Sequence, residues 1–597
     1  MTDRSPAATG PAAATDVAAT VPAAADPAGW LSLHLFLHSG TEDTDAFLTE
    51  DLAPLLDALV ATGQAVAWFF IRYGEGGPHL RIRLRALDPQ AAAGLPATLA
   101  ELAVARPAVA GTWPSRHGEV RQVPYEPETE RYGGPLALPA AEHVFTVSSQ
   151  VAVRALREQP RGARRLALAA DLAHTTAAAL GLDRLAAAQW LRRHAASWRW
   201  ITEVTLLPGA VVHAKVNSVY AGQHEALAQR ARALRAALAD GSAAPWLADW
   251  AREVRASEVR LPWVWASQLH MLFNRLGITP DEERAVCRLA ARTMLDAGEP
   301  PSFFPAGHRA PDRQYLERSK FQVGRPEDTA LRSLPPAPAP TASATELPLP
   351  ADPLPDVPLA AVLGARTSAR GPLTGPLDAR TLGTLLWGSH AQSHRSEQPL
   401  ADGTVRPLVH RPYPSAGALY TARLRLIALD VPGLPAGTYQ CVPEHRALRP
   451  LAPAPTTEEI AALSSYLTRA PEDPDGIGID RAPAVLALYL DLGLLRRRYG
   501  LRALRLGLLE AGHLAQTLLL TATALGLRTT PLGGFHDDLA HELLGLDDLD
   551  QPLQYLLPLG VVRPPEDSAT RPAGRRAKLR AGGRKERTGR RLPRTSG

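Results

Sequence analysis

Residues 334–358 read PPAPAPTASATELPLPADPLPDVPL. Proline locks φ near about −65° and lacks an N–H, so a run this dense builds neither a helix nor a central strand. No single hydrophobic core can run through it. The stretch, taken with its approach as 326–358, reads as a semi-rigid spacer. It divides the chain into one body over 29–325 and a second over 359–564. The chain's 597 residues are enough for more than one folded unit. The bodies differ in texture and share no internal repeat, which points to a fusion of unrelated modules.

The ends read differently from the bodies. Residues 1–28 are rich in Ala, Pro and Thr and lack a basic start followed by an apolar block, so they read as a disordered tail, not a signal peptide. From Pro564 to Gly597 eleven Lys/Arg face three acids, a net +8. The whole chain carries +5, so the remainder carries −3. The basic balance belongs to a disordered tail over 565–597, which removes the main support for a nucleic-acid-binding body. No run of about 18 uncharged apolar residues exists, so no membrane span is expected. Two cysteines, Cys287 and Cys441, exclude a disulfide scaffold and a multi-cysteine metal site. They suit a reducing cytoplasm.

The first body opens with strand-like runs at Leu33–Leu37 and Ala65–Ile71. Leu80–Arg85 (LRIRLR) then alternates strictly. In a strand Leu80, Ile82 and Leu84 face a core, and Arg81, Arg83 and Arg85 share the other face. Three arginines spaced about 6.6 Å apart repel one another unless solvent or an anion compensates. A plain solvated edge face is the alternative. After residue 160 the pattern turns helical. Thr279–Glu282 carries an N-cap, a first-turn proline and a capping-box glutamate, and a helix should follow to about Leu295. Tyr125–Gly134 (YEPETERYGG) reads as a charged loop with a glycine turn. His270 and Asn274, four apart, share a helix face.

The runs WFFIRYGEGGPHLRIRLR, YEPETERYGG and HMLFNRLGIT, in that order, resemble the C-terminal elimination domain of lantibiotic dehydratases, the thiopeptide-type bacteriocin biosynthesis domain. The resemblance implies removal of glutamate from glutamylated Ser or Thr of a precursor peptide. Carried over by motif, it implies functional roles for Arg81, Arg83, Arg131 and His270. Arginines match carboxylates bidentately and stabilise developing negative charge; histidine moves a proton near neutral pH. Full-length dehydratases carry a glutamylation region ahead of this domain, so a separate tRNA-dependent enzyme is expected to load the glutamate. The same superfamily includes pyridine-forming cycloaddition enzymes, which need not keep the arginine–histidine set.

In the second body Arg366-Thr367-Ser368-Ala369-Arg370 places two guanidiniums and two hydroxyls within five residues. That group can grip a phosphate, or form an ordinary basic surface. Pro414-Ser415-Ala416-Gly417 lies in a small-residue turn that lets backbone approach a planar ligand. A helix should span about Arg502–Leu525, with Leu504, Leu508, Ala511, Ala515, Leu518, Ala522 and Leu525 at helical spacing. It carries EAGHLAQ (Glu510–Gln516). Pro531-Leu532-Gly533-Gly534 forms a turn. His541-Glu542 lacks the second histidine of a zinc-protease motif, and GxGxxG, GxSxG and Walker A patterns are absent.

The ordered set resembles SagB-type dehydrogenases of the nitroreductase superfamily, FMN enzymes that oxidise azolines to azoles. The resemblance implies phosphate binding by Arg366, Thr367, Ser368 and Arg370. It places Pro414–Gly417 over flavin across a homodimer interface, and Pro531–Gly534 beside the ring. The family's lysine–tyrosine pair falls at Arg498-Tyr499. Arginine's high pKa makes it a poor base, so Tyr499 is expected to carry the proton step, with Arg498 stabilising charge or the domain weakened.

The expectation is a two-domain α+β protein of the cytoplasm. An elimination-type domain is followed by a nitroreductase-like FMN domain, and together they mature a thiopeptide precursor. Implied partners are the precursor peptide (leader plus core), the glutamylating enzyme, an azoline-forming cyclodehydratase and a second copy of the chain. Membrane and direct nucleic-acid contacts are not expected. The alternatives are cycloaddition, a module retained as a peptide-binding scaffold, and a general nitroreductase with an accessory domain.

Overall fold

The computed structural model describes residues 29–201, 204–295, 310–321, 323, 341–399, 403–469, 473 and 476–562. Both terminal tails and the first part of the proline-rich spacer lie outside these residues. The chain divides into two compact units, each mixing helix and sheet. The first runs up to residue 330 and also includes His536–Pro552; the second holds 331–535 and the chain from 553 onward.

The first unit contains a four-stranded antiparallel sheet of β1 (Trp30–Phe36), β2 (Ala67–Tyr73), β3 (His79–Arg85) and β4 (Val120–Gln122), in the order β2-β3-β1-β4. The alternation of LRIRLR is realised: Leu80, Ile82 and Leu84 are fully buried in the core under the sheet. β3 is an interior strand, which rules out an edge face. Ser32 on β1 and Phe69 on β2 flank Arg83 in register. Helices lie between the strands, at Thr41–Ala46, Ala53–Ala61 and Pro89–Val104, and the continuous helical part begins with Leu138–Leu156, earlier than residue 160. Trp68, Trp250, Trp265 and Phe273 are among the largest side chains wholly removed from water. Each such burial contributes about 1.5–3 kcal/mol. The capping box at Thr279 forms as the sequence demands: Thr279 N–H donates to Glu282 Oε2 at 2.9 Å, and Glu282 N–H to Thr279 Oγ1 at 3.4 Å. The helix it starts spans Pro280–Leu295.

The returning segment His536–Pro552 brings the helix Asp537–Leu544 into the first unit. Its Glu542 side chain is 9% exposed, ion-paired with Arg288, and accepts from His213 Nε2 at 2.7 Å. Asp548 pairs with Arg192. The His541-Glu542 dipeptide is thus a packing element of this unit.

In the second unit the strands are β5 (Leu347–Pro348), β6 (Leu373–Thr374), β7 (His394–Pro399), β8 (Val405–His410), β9 (Ala422–Ala428), β10 (Gly437–Val442), β11 (Ala447–Ala452), β12 (Ala484–Leu490), β13 (Arg528–Thr529) and β14 (Leu553–Val562). Eight form one sheet, ordered β13-β14-β12-β9-β10-β11-β5, with β6 on β14; β7 and β8 make a separate hairpin. β12 (AVLALYL) is buried at every position, as a strand covered on both faces must be. The long helix spans Ala503–Ala524. Its buried face is Gly507, Glu510, Ala511, Leu514, Ala515 and Leu518. Leu508, expected in the apolar stripe, is 48% exposed.

The spacer expectation needs correction. Residues 346–352 are joined to the rest of the second unit, so this part is no free linker, while 353–358 are exposed. Leu347–Pro348 adds a strand to β11, and Leu349 O accepts from Trp387 Nε1 at 3.0 Å. Glu346 accepts from Arg449 at 2.6 Å, and Asp352 N–H donates to Thr384 Oγ1 at 2.8 Å. Proline is compatible with this because β5 is at the sheet edge, where a missing N–H is tolerated.

Candidate active sites

In the first unit the three strand arginines diverge. Arg85 is exposed. Arg81 lies with its guanidinium 3.4 Å from the centre of the Tyr73 ring, its Nε 3.4 Å from His79 Nε2. Arg83 is 5% exposed, and among the described residues its Nε and Nη1 have no hydrogen-bond partner. Its guanidinium sits 5.0 Å from the Tyr125 ring centre and 5.8 Å from that of Phe69. Among the described residues it has no ion-pair partner. Burial pulls its pKa down to about 10, eased by Tyr125 and reinforced by Arg81, so it remains a cation at neutral pH. A buried cation without a counter-ion costs several kcal/mol.

The YEPETERYGG run lies across this face. Tyr125 covers Arg83, and burial together with the Glu142 carboxylate drives its phenol strongly upward. Tyr132 packs edge-on to Phe145 with centroids 4.8 Å apart, and burial raises it to about 12. Glu142 is held by Trp30 Nε1 at 3.1 Å. Arg131, between the two tyrosines, pairs with Glu128 at 2.8 Å, and its Nε lies 3.4 Å from Ser267 Oγ. Ser267 is one turn before His270 on the helix Pro262–Arg275. The fold therefore joins the Arg131 loop to the His270 helix, two motifs far apart in sequence. Asn274, also expected on that face, instead caps β2: its Oδ1 accepts from Arg72 N–H at 2.9 Å.

Sequence reasoning missed two residues here. Arg275 is wholly buried, its Nε donates to Phe70 O at 2.8 Å, and its Nη1 and Nη2 are unpartnered. Glu283 is also wholly buried; it accepts from His270 Nδ1 at 2.8 Å and His194 Nε2 at 2.6 Å. Arg275 follows directly on the quoted asparagine and could have been singled out. Glu283 had no signal, because a glutamate in a first helical turn is normally just a dipole partner.

In the second unit the turn after Pro414 is tightly specified. Gly417, Ala418 and Tyr420 all have positive φ, at 61°, 53° and 49°, and such clustering of strained backbone is typical of ligand sites. Glu510 holds the turn from the long helix. It accepts from Ser415 Oγ at 2.7 Å, Thr421 Oγ1 at 3.2 Å and the Ala422 N–H at 2.7 Å. His513 Nδ1 lies 3.3 Å from Pro414 O. Arg498 and Tyr499 end the short helix Leu492–Tyr499 against this turn. A β-carbon on Gly417 would stand 2.5 Å from Tyr499 Oη and 3.4 Å from Arg498 Nε. That Nε is buried and unpartnered.

The other two motifs meet at a different place. Ala369 N–H donates to Thr529 O at 3.0 Å, and Thr530 Oγ1 donates to Ala369 O at 2.7 Å. This fastens the Arg366–Arg370 loop beside Pro531–Gly534. Leu532 bridges to Leu556, and Ser464 Oγ donates to Gly534 O at 2.5 Å. Thr367, Ser368, Arg370, Gly533 and Gly534 are exposed and Arg366 half-buried. Two guanidiniums and two hydroxyls on an anchored surface loop fit a phosphate. Exposed glycines beside it leave room for a flat ring.

An antiparallel sheet packed on this long helix, with a strained turn held at one part of the helix and an anchored basic loop beyond its C-terminal end, is the arrangement of the nitroreductase class. The comparisons agree. Residues 365–561 match "Nitroreductase family", and residues 30–294 match "Lantibiotic biosynthesis dehydratase C-term". A nitroreductase-family protein of Methanocaldococcus jannaschii is 30% identical over 207 residues, which is 34% of this chain and 91% of that protein. The microcin B17-processing protein McbC of Escherichia coli is 31% identical over 143 residues, 23% of this chain and half the length of McbC. A solved structure, the pyridine synthase TbtD from thiomuracin biosynthesis, is similar at 20% identity and a TM-score of 0.37, covering 45% of this chain and 98% of that one; so low a likeness bears on nothing further. The chain belongs to the nitroreductase family through its second unit and carries a lantibiotic dehydratase C-terminal domain ahead of it. Among the described residues no helix is long and apolar enough to cross a membrane.

Proposed function

We propose that this chain performs two steps in maturing a ribosomally made thiopeptide precursor. The first unit eliminates glutamate from O-glutamylated Ser or Thr, leaving dehydroalanine or dehydrobutyrine. The second oxidises azolines to azoles with FMN. The observation that carries the elimination reading is Arg83: a buried guanidinium with two unpartnered nitrogens and, among the described residues, no counter-ion, in the unit that also holds Arg131 and His270. A site that keeps such a cation is built to receive an anion, and both the glutamyl carboxylate and the enolate-like oxygen of the elimination are anions. Arg83 contributes fixed positive charge. Arg131, at the exposed rim, orients the departing carboxylate, with Arg81 nearby on the same strand face. His270 moves the proton.

In the second unit Arg366, Thr367, Ser368 and Arg370 would hold the FMN phosphate, with Pro414–Gly417 and Pro531–Gly534 flanking the ring. FMN held there would supply the hydride acceptor that aromatisation requires. Tyr499, pressed against Gly417, handles the proton from the azoline ring, and Arg498 stabilises the charge that its loss creates. Glu510 holds the turn, and Thr529 fastens the phosphate loop beyond the other end of the same helix. From Glu510 to that end the helix extends roughly 20 Å at 1.5 Å per residue. One copy therefore keeps turn and phosphate loop apart, and a homodimer would bring each turn to the other copy's flavin. Leu501, Leu508 and Leu509, 53%, 48% and 61% exposed, supply an apolar surface for it. The resemblance to a microcin B17-processing protein supports a role in peptide maturation over general nitroreduction. A separate glutamylating enzyme and a cyclodehydratase would supply the substrate.

The test is flavin spectroscopy of the purified chain, then mass spectrometry on a precursor peptide carrying O-glutamyl serine and a thiazoline. Bound FMN, loss of glutamate and loss of two hydrogens are expected. A colourless protein that leaves both groups intact overturns the reading.

A further inference from the structure

The first unit contains a carboxylate that the elimination scheme leaves without a role. Glu283 sits in the first turn of the helix Pro280–Leu295. It is 0% exposed and receives three hydrogen bonds: His270 Nδ1 at 2.8 Å, His194 Nε2 at 2.6 Å and Trp198 Nε1 at 3.2 Å. Among the described residues no lysine or arginine forms an ion pair with it. The other titratable groups around it are Arg131 from the loop and Cys287 one turn along its own helix. Burial alone would raise its pKa, but the two imidazoles outweigh burial and hold it below the ordinary carboxylate range.

An ionised carboxylate only accepts hydrogen bonds. In the neutral imidazole the proton of His270 must therefore reside on Nδ1, which leaves Nε2 as a lone-pair acceptor. The Trp198 ring stands edge-on to the imidazole, centroids 4.9 Å apart at 73°, and limits its rotation. The His270 side chain is 15% exposed while that of Glu283 is 1% exposed; one end of the pair is anchored and the other reaches outward.

We infer that Glu283 is the positioning residue for His270, fixing its Nδ1–H tautomer so that Nε2 serves as the general base. The base role rests on the elimination reading; the tautomer does not. In that step Nε2 takes the α-proton of the glutamylated residue. The C–H electron pair becomes the Cα=Cβ bond, the Cβ–O bond breaks, and glutamate departs as its carboxylate. Atoms and charge balance with no other reagent.

The experiment uses the full chain. Glu283→Gln keeps the shape but presents an amide that can donate as well as accept. Elimination from a peptide carrying O-glutamyl serine is expected to lose 10–100-fold in kcat, the range for groups that orient a reacting residue, with KM within about twofold and azoline oxidation unchanged. Glu283→Asp, which keeps the charge, should recover part of the rate. The 15N spectrum of labelled histidines, with His270 assigned by its absence in His270→Gln, should show a protonated Nδ1 and a bare Nε2 in the wild type. That pattern should be lost in Glu283→Gln and kept in Glu283→Asp. Wild-type kcat in Glu283→Gln, or an unchanged His270 tautomer, overturns the inference. If the wild-type chain eliminates nothing, the elimination reading fails instead, and the tautomer still decides the role of Glu283.

Discussion

The phenolic oxygen of Tyr499 stands 2.5 Å from where a β-carbon on Gly417 would lie. Gly417 is therefore required twice, by its φ of +61° and by the tyrosine seated over it. Alanine there would cost about 1–2 kcal/mol in backbone alone, and Tyr499 would have to move. Gly417→Ala should lower azoline oxidation at least tenfold while glutamate elimination stays at the wild-type rate. The check is the ratio of the two products by mass spectrometry. Tyr499→Phe should keep FMN, read by its absorbance, and lose oxidation.

Replacing His270 or Arg131 by Ala tests the other unit. A general base or acid contributes about 10²–10⁴-fold, so His270→Ala should let glutamylated peptide accumulate while azoles continue to form. Arg131→Ala should act in the same direction. Undiminished dehydroalanine in both variants would remove these residues from the chemistry.

Glu510 unites the Pro414–Gly417 turn with the long helix through three hydrogen bonds. Glu510→Ala leaves those donors without an acceptor at about 1–3 kcal/mol each, so a loss of about 3–5 kcal/mol is expected. Glu510→Gln keeps one oxygen and should lose less. Thermal melting followed by flavin fluorescence distinguishes them, because flavin release should precede unfolding of the first unit.

Glu542 gives the first unit a dependence on acid. Burial would raise its pKa, but the bond from His213 and the charge of Arg288 depress it to about 2. A carboxyl depressed in the folded state stabilises fully above its unfolded value of about 4.3, and that contribution, about 3 kcal/mol, is lost as pH falls toward about 2. The wild type should lose melting temperature across that window faster than Glu542→Gln, and the variant should be less stable at pH 7. A chain cut near residue 335 lacks Glu542 altogether. Its first unit should melt lower than in the intact protein, contrary to the clean separability that the spacer suggests. Parallel pH–melting curves for wild type and Glu542→Gln would disprove this role.

The strand alternation at LRIRLR, the capping box at Thr279, the long helix over Ala503–Ala524 and the glycine of the turn after Pro414 were all legible in the residues. Each depends on local rules: period two, a cap geometry, period 3.6, a positive φ. The motifs at Arg131, His270, Gly417 and Tyr499 were legible by resemblance. What could not be read was which side chains face one another across the fold. Arg83 and Arg81 are two positions apart on one strand, yet only Arg83 is enclosed, because Tyr125 arrives from a loop forty residues on. The proline-rich stretch obeyed its local rule against helix and central strand, but a sheet edge at β11 accepted part of it.

The sequence by itself determined two modules, their order, their motifs and most of their regular elements, because these follow from hydrophobic period and backbone preference. Only the tertiary structure decided that Glu283 meets His270, that Glu510 carries the turn at Ser415, and that Glu542 closes the first unit from far along the chain. A carboxylate's role is set by whether it is desolvated and which donors surround it, and both are properties of packing between distant segments that no local pattern encodes.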